Sequence, residues 1–150
     1  MIKKILVPTD GSKTAQKALK YAVDLAKQAG SSIVVLSVID KSPFYGAQTM
    51  PSVSSPTHLL ENLEDYLRQT AVAYVAEAGE LCRSKGVKSR KMVRAGHPVE
   101  EIIKAAEDSK VDLIVVGSHG KSAFGAALLG SVAIGLIHRE AKYPVLVVRR

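Results

Sequence analysis

The residues best suited to chemistry in this chain stand between positions 117 and 132. Gly117-Ser118-His119-Gly120 is followed, after nine intervening residues, by Gly130-Ser131-Val132. Glycine has no Cβ, so backbone N–H groups at such positions can come close to a ligand. The apolar run Val111–Val116 before them reads as a buried strand, and 132–138 after them reads as a helix. A helix start adds unpaired N–H donors and the positive end of a dipole. The combination is that of a phosphate cradle. Lys121 and Ser122 come next and could also meet phosphate. They do not make a P-loop, because that motif needs a glycine where Val115 stands and normally follows the first strand.

A second constellation is Pro8-Thr9-Asp10, at the end of a first strand over 4–8. A carboxylate there can accept hydrogen bonds from ribose hydroxyls or help hold a phosphate-bound Mg²⁺. It can equally be a turn residue beside the helix-capping Ser12. Val38 closes a second strand, where its backbone could pair with an adenine edge, although its side chain alone would be read as core. His119 reads as an exposed loop residue supplying a backbone N–H rather than as a general base. His58, His97 and His138 fall at helix ends or surfaces. No Gly-x-Ser-x-Gly elbow or triad spacing is present. Cys82, the only cysteine, reads as a core or boundary thiol, which leaves no internal disulfide and no zinc cluster.

Strands and helices must alternate to position these groups. Apolar residues from Ala15 to Ala29 share one helical face between Ser12 and Gly30. Residues 32–39 are apolar enough for a strand buried on both faces. The stretch 40–57 is a long loop with four prolines or glycines, and such loops are often lids or binding segments. A helix over 58–85 places Leu59, Leu63, Tyr66, Leu67, Thr70, Ala71, Tyr74, Ala78 and Leu81 on one face, with Pro56 suited to its first turn. Residues 87–94 alternate basic and apolar side chains, as an edge strand protected by charge would. A helix after Gly96-His97-Pro98, the strand before the cradle, the helix after it and a last strand over 144–148 complete the order. Alternation of this kind predicts an α/β fold: a five-stranded, open, twisted parallel sheet with helices on both faces. Its binding crevice lies where the strand order reverses, at the ends of strands one and four.

At 150 residues the chain suits a single domain over 1–150. No apolar run approaches the ~20 residues of a membrane helix, and the N-terminus does not resemble an export signal, so the expected location is cytoplasmic, without membrane attachment. The net charge of +7 is spread along the chain, and aromatic residues make up only 5 % with no tryptophan. A nucleic-acid stacking platform is therefore not expected, whereas steering of an anionic nucleotide is.

The cradle resembles the G-x2-G-x9-G-[S/T] signature of the ATP-binding branch of the universal stress protein family. Lys4–Asp10 with Ser12, Val38-Ile39-Asp40, Gly96-His97-Pro98 and the ending Pro144–Val148 extend the resemblance over nearly the whole chain. It implies a Rossmann-like sheet of the adenine nucleotide alpha hydrolase type, in strand order 3-2-1-4-5. It implies an adenine nucleotide (ATP, or ADP or AMP) with Mg²⁺. The position matching Asp10 would contact the nucleoside and that matching Val38 the adenine, and Pro8 and Thr9 are counted with Asp10 as cofactor-binding. Those matching Gly117, Gly120, Gly130 and Ser131 would contact ribose and phosphates, and Ser118, His119, Lys121 and Val132 are counted beside them as cofactor-binding. It further implies a homodimer joined through the last strand, 145–148, and an unidentified protein partner. The function expected is that of a nucleotide-binding stress sensor with no dedicated catalysis. A slow ATPase acting as a timed switch is the alternative.

Overall fold

A computed structural model describes residues 1–41, 56–120, 129–139 and 142–149, with side chains described at 56–61 excepted. Among the described residues nine elements alternate: β1 (Lys4–Pro8), α1 (Lys13–Ala29), β2 (Ser32–Ile39), α2 (Pro56–Ser84), β3 (Ser89–Ala95), α3 (Pro98–Ser109), β4 (Leu113–Gly117), α4 (Ser131–His138) and β5 (Val145–Val148). The five strands are parallel, in the order β3-β2-β1-β4-β5. The order reverses between β1 and β4, where Ile5 pairs with Leu113 and Leu6 with Ile114.

β1, β2 and β4 are buried on both faces, so each alternates its side chains between two cores. Ile5, Val7, Ile33, Val35, Leu113 and Val115 face α1 and α2. Leu6, Val34, Leu36, Ile114 and Val116 face α3 and α4. α1 follows the sequence closely. Ser12 Oγ accepts from the Ala15 N–H at 3.1 Å, Gly30 ends the helix with φ +72°, and Ala15, Ala18, Leu19, Ala22, Val23 and Ala26 are buried. Ala29 has turned to solvent. α2 corrects the expected face: Tyr66 is exposed, while Val75 and Cys82 join the core. Cys82 is fully buried, and burial pushes its thiol pKa up, away from the thiolate that nucleophilic or metal chemistry needs.

Asp112, expected inside the fourth strand, instead precedes it in an exposed position. One carboxylate oxygen accepts from the Lys3 and Lys4 N–H groups at 2.8 and 3.0 Å, and these bonds hold its pKa below the ordinary aspartate value. A lowered folded-state pKa contributes stability that is present above the unfolded value and lost as the pH falls through the folded one. Asp112→Ala should therefore lower Tm at pH 7, and the gap to the parent chain should close below about pH 4. A gap unchanged at pH 3 in melting curves would show that packing, and not the charged acceptor, is responsible.

Ser109 ends α3 with its Oγ buried and without a hydrogen-bond partner among the described residues. A buried hydroxyl left unpaired costs free energy that a methyl does not. Ser109→Ala is expected to leave Tm unchanged or raised, measured by the same melts. A marked loss would reveal a partner for the hydroxyl.

Candidate functional site

The turn after β1 is built locally. Thr9 Oγ1 accepts from the Gly11 N–H at 3.2 Å, and Asp10 Oδ1 accepts from the Ser12 N–H at 3.0 Å. Gly11 has φ +76°, and a Cβ there would collide with the ring of Tyr74 from α2. Asp10 thus serves the turn with one oxygen, as a turn residue beside Ser12 would, while its other oxygen lies beside Gly120. The Thr9 N–H donates to Leu36 O at 2.7 Å, tying the turn to β2.

The turn after β4 is tied twice. The Ser118 N–H donates to Val148 O at 2.8 Å, and Ser118 O accepts from the Gly130 N–H at 2.5 Å. The second bond pins the start of α4 to the end of β4. Gly130 is the N-cap of α4, with φ −76° and ψ 167°, and no side chain caps that helix. Its first-turn N–H groups, beginning with Ser131 and Val132, are those a helix cannot satisfy internally. They face a cleft at the reversal of strand order, the position where open parallel sheets place ligands.

That cleft has a volume of about 470 Å³, the size range of small-molecule sites. Pro8, Thr9, Asp10, Val38, Gly117, Ser118, His119, Gly120, Gly130, Ser131 and Val132 all line it, so the structure gathers eleven of the twelve positions picked out in the sequence. The twelfth, Lys121, lies outside the described residues, as do Ser122 and most of the loop 40–57. Sequence reasoning missed the wall that β2 and α3 supply, formed by Leu36, Pro98 and Ile102, and passed over Asp40 as a lining group. Asp40 had a signal, since it follows the end of β2 much as Asp10 follows the end of β1. Ile102 had none, because its periodicity is that of any core residue.

One expectation is corrected. His119 is not an exposed loop residue: it is only 9 % exposed, and its Nδ1 lies 2.8 Å from the Oγ of buried Ser118. The imidazole is thereby committed to the loop's internal structure. None of the three cradle glycines has positive φ, and a Cβ on each would meet protein atoms. They make room for protein. A Cβ on Gly117 would stand 2.9 Å from Thr14 Cγ2 and 3.0 Å from its carbonyl group. One on Gly120 would stand 2.7 Å from Asp10 Oδ2, and one on Gly130 would stand 3.2 Å from both His119 Cα and Ser118 O. Glycine here lets β4, the β1 turn and α4 converge.

Chemically the cleft offers an apolar wall from β2 and α3, helix-start donors from α4, and the carboxylates of Asp10 and Asp40. Among the described residues no group of three or more His, Cys, Asp or Glu could form a metal centre of protein ligands alone. A hard oxygen such as that of Asp10 suits Mg²⁺ carried on phosphates, which typically uses one or two carboxylates.

A sequence model described as the universal stress protein family matches residues 1–149. The universal stress protein MJ0531 of Methanocaldococcus jannaschii is 35 % identical over 150 residues, spanning 100 % of this chain and 84 % of that protein. Universal stress protein MJ0577 of the same organism is 34 % identical over 157 residues, spanning 100 % and 96 %. A solved structure of MJ0577 superimposes with a TM-score of 0.84 at 35 % identity, over 100 % of this chain and 97 % of that one. A universal stress protein solved in complex with cAMP has a TM-score of 0.67 at 24 % identity, over 99 % and 97 %. One from Archaeoglobus fulgidus, solved in complex with dAMP, has a TM-score of 0.60 at 19 % identity, over 98 % and 97 %. The last two share the fold.

Proposed function

The chain belongs to the universal stress protein family, and from that premise we propose that it is a nucleotide-binding regulatory protein of the stress response, holding ATP, or ADP or AMP, with Mg²⁺ in the cleft between β1 and β4. The observation that carries this reading is the 2.5 Å bond from the Gly130 N–H to Ser118 O, which fixes the uncapped start of α4 over the strand-order reversal. Donors held in place before a ligand arrives lose little freedom on binding it.

In this reading the adenine lies against Val38, Pro98 and Ile102, and the backbone of Val38 meets its edge. The ribose sits by Thr9 and Asp10. The phosphates run past Gly117–Gly120 to the N–H groups of Ser131 and Val132, with Lys121 as a cation within reach in sequence. Bound Mg²⁺ would neutralise phosphate charge beside Asp10. The complexes of two family members with cAMP and dAMP support an adenine-nucleotide ligand. The whole chain, 1–150, acts as one domain, pairs with a second copy through 145–148, and works in the cytoplasm. In support, no described helix is long and apolar enough to cross a membrane.

The test is mass spectrometry of the small molecule released from gently denatured, purified protein. An adenine nucleotide near one per chain is expected. An empty protein that also shows no thermal shift with Mg-ATP, Mg-ADP, AMP or cAMP would overturn the reading. An ATP-to-ADP ratio that drifts over hours would instead mark the protein as a slow hydrolase.

A further inference from the structure

Among the described residues β3 is the outermost strand on the side away from β5, with β2 its only neighbour in the sheet. The Lys88 carbonyl accepts from the Ile33 N–H and the Gly96 N–H donates to Ile39 O, so the even-numbered residues of this segment turn their backbone groups toward β2. By the alternation of a strand, Ser89, Lys91, Val93 and Ala95 turn theirs to the open edge. Among the described residues no hydrogen bond to these N–H and C=O groups occurs.

The same edge is densely basic. Lys85, Lys88, Arg90 and Lys91 are all exposed and make no ion pair among the described residues. Their neighbours differ: Arg83 is held by Glu80 at 2.5 Å, and Arg94 by Asp108 at 2.6 Å. Lys91 lies on the α2 side of the strand, against Gly79, while Met92, and with it Arg90, lies on the α3 side. Positive charge therefore flanks the open backbone on both faces.

We propose that the β3 edge is a docking site for an extended acidic segment of a partner protein, which adds to the sheet as a sixth strand. Backbone pairing would supply the register, and Asp or Glu residues on both faces of the incoming strand would meet Arg90 and Lys91. A second copy of this chain is the wrong occupant, since β3 against β3 sets lysine and arginine against one another. A nucleic acid is also a poorer fit. Its phosphates accept hydrogen bonds but cannot donate to the open carbonyls, whereas a peptide backbone satisfies both. The site also adjoins the cleft, because Gly96 and His97 lead from the end of β3 to Pro98 in the cleft wall.

The experiment uses the full chain, ¹⁵N-labelled, with an acetylated and amidated Glu-Glu-Val-Val repeat about eight residues long as the probe, which sets glutamates on both faces of an extended strand. In the free protein, hydrogen exchange should be fast at Ser89, Lys91, Val93 and Ala95 and slow at Arg90, Met92 and Arg94. The probe should slow exchange at the four open amides. A version N-methylated at alternate residues, with the same charge, should bind at least about tenfold more weakly, and a Lys-Lys-Val-Val repeat should not bind. Arg90→Glu with Lys91→Glu should abolish binding with Tm and fold retained. Arg90→Glu alone serves if the double variant is unstable. Three results overturn the proposal: open-edge amides already protected in the free chain, equal binding of the N-methylated probe, or the same shifts with oligothymidylate at equal affinity.

Discussion

Gly130→Val is expected to weaken ATP binding by about a hundredfold or more while leaving the circular dichroism spectrum unchanged. The reason lies in the geometry of the α4 start. A Cβ at this position stands 3.2 Å from His119 Cα and from Ser118 O, so even one methyl presses on the opposite turn, and valine adds two more. The strain is relieved by moving α4 away from β4, which lengthens the 2.5 Å Gly130–Ser118 bond and carries the N–H groups of Ser131 and Val132 out of line. Donors aimed at one point lose most of their effect when displaced by even an ångström. The affected contacts lie at the cleft and away from the two cores, so the loss of stability should be the smaller effect. Gly130→Ala should fall between parent and valine. Isothermal titration with Mg-ATP decides the matter: parent-like affinity in the valine variant would remove the phosphates from this end of the cleft.

The opposite pattern is expected at Gly117. Here a Cβ would meet Thr14 Cγ2 at 2.9 Å and the Thr14 carbonyl group at 3.0 Å, both in the first turn of α1. Backbone atoms of a helix packed on the sheet cannot step aside as a surface side chain can. Overpacking of this kind costs about 1–3 kcal/mol, so Gly117→Ala should lower Tm by several degrees. Folded molecules should keep most of their nucleotide affinity. Thr14→Ser removes Cγ2 and should restore part of the stability, with a coupling energy that is measurable in a double-mutant cycle. If Gly117→Ala melts like the parent yet fails to bind ATP, Gly117 is a ligand-approach glycine after all. The two variants together separate glycines that serve the fold from those that serve the ligand.

Much of the architecture is legible in linear order. The apolar runs at 4–8, 32–39 and 113–117, separated by helical periodicity, permit little besides a parallel sheet covered on both faces. Ser12 and Gly30 announce the bounds of α1 because capping is a local matter of one side chain and one dihedral. The cleft positions at 8–10, 117–120 and 130–132 are legible for the same reason: short-range spacing next to strand ends marks them. Tyr66 was misplaced because a long helix offers several apolar stripes, and only the sheet beneath it selects one. Asp112 was absorbed into a strand because its apolar neighbours outweigh it, although its role is to cap the N–H groups of Lys3 and Lys4 from across the sheet.

What the sequence determined by itself, then, is the alternation of elements, the parallel sheet and the strand ends where a ligand can sit, since each follows from periodicity, capping and local glycine spacing. What only the tertiary structure decided is who stands beside whom. It brought Pro98 and Ile102 to the cleft, buried His119 against Ser118, and set Thr14, Asp10 and the His119 backbone against the three cradle glycines. Among the described residues it also left β3 with one neighbour and an open basic edge. These are contacts between residues far apart in the chain, fixed by crossovers and packing, and no local pattern encodes the distance between them.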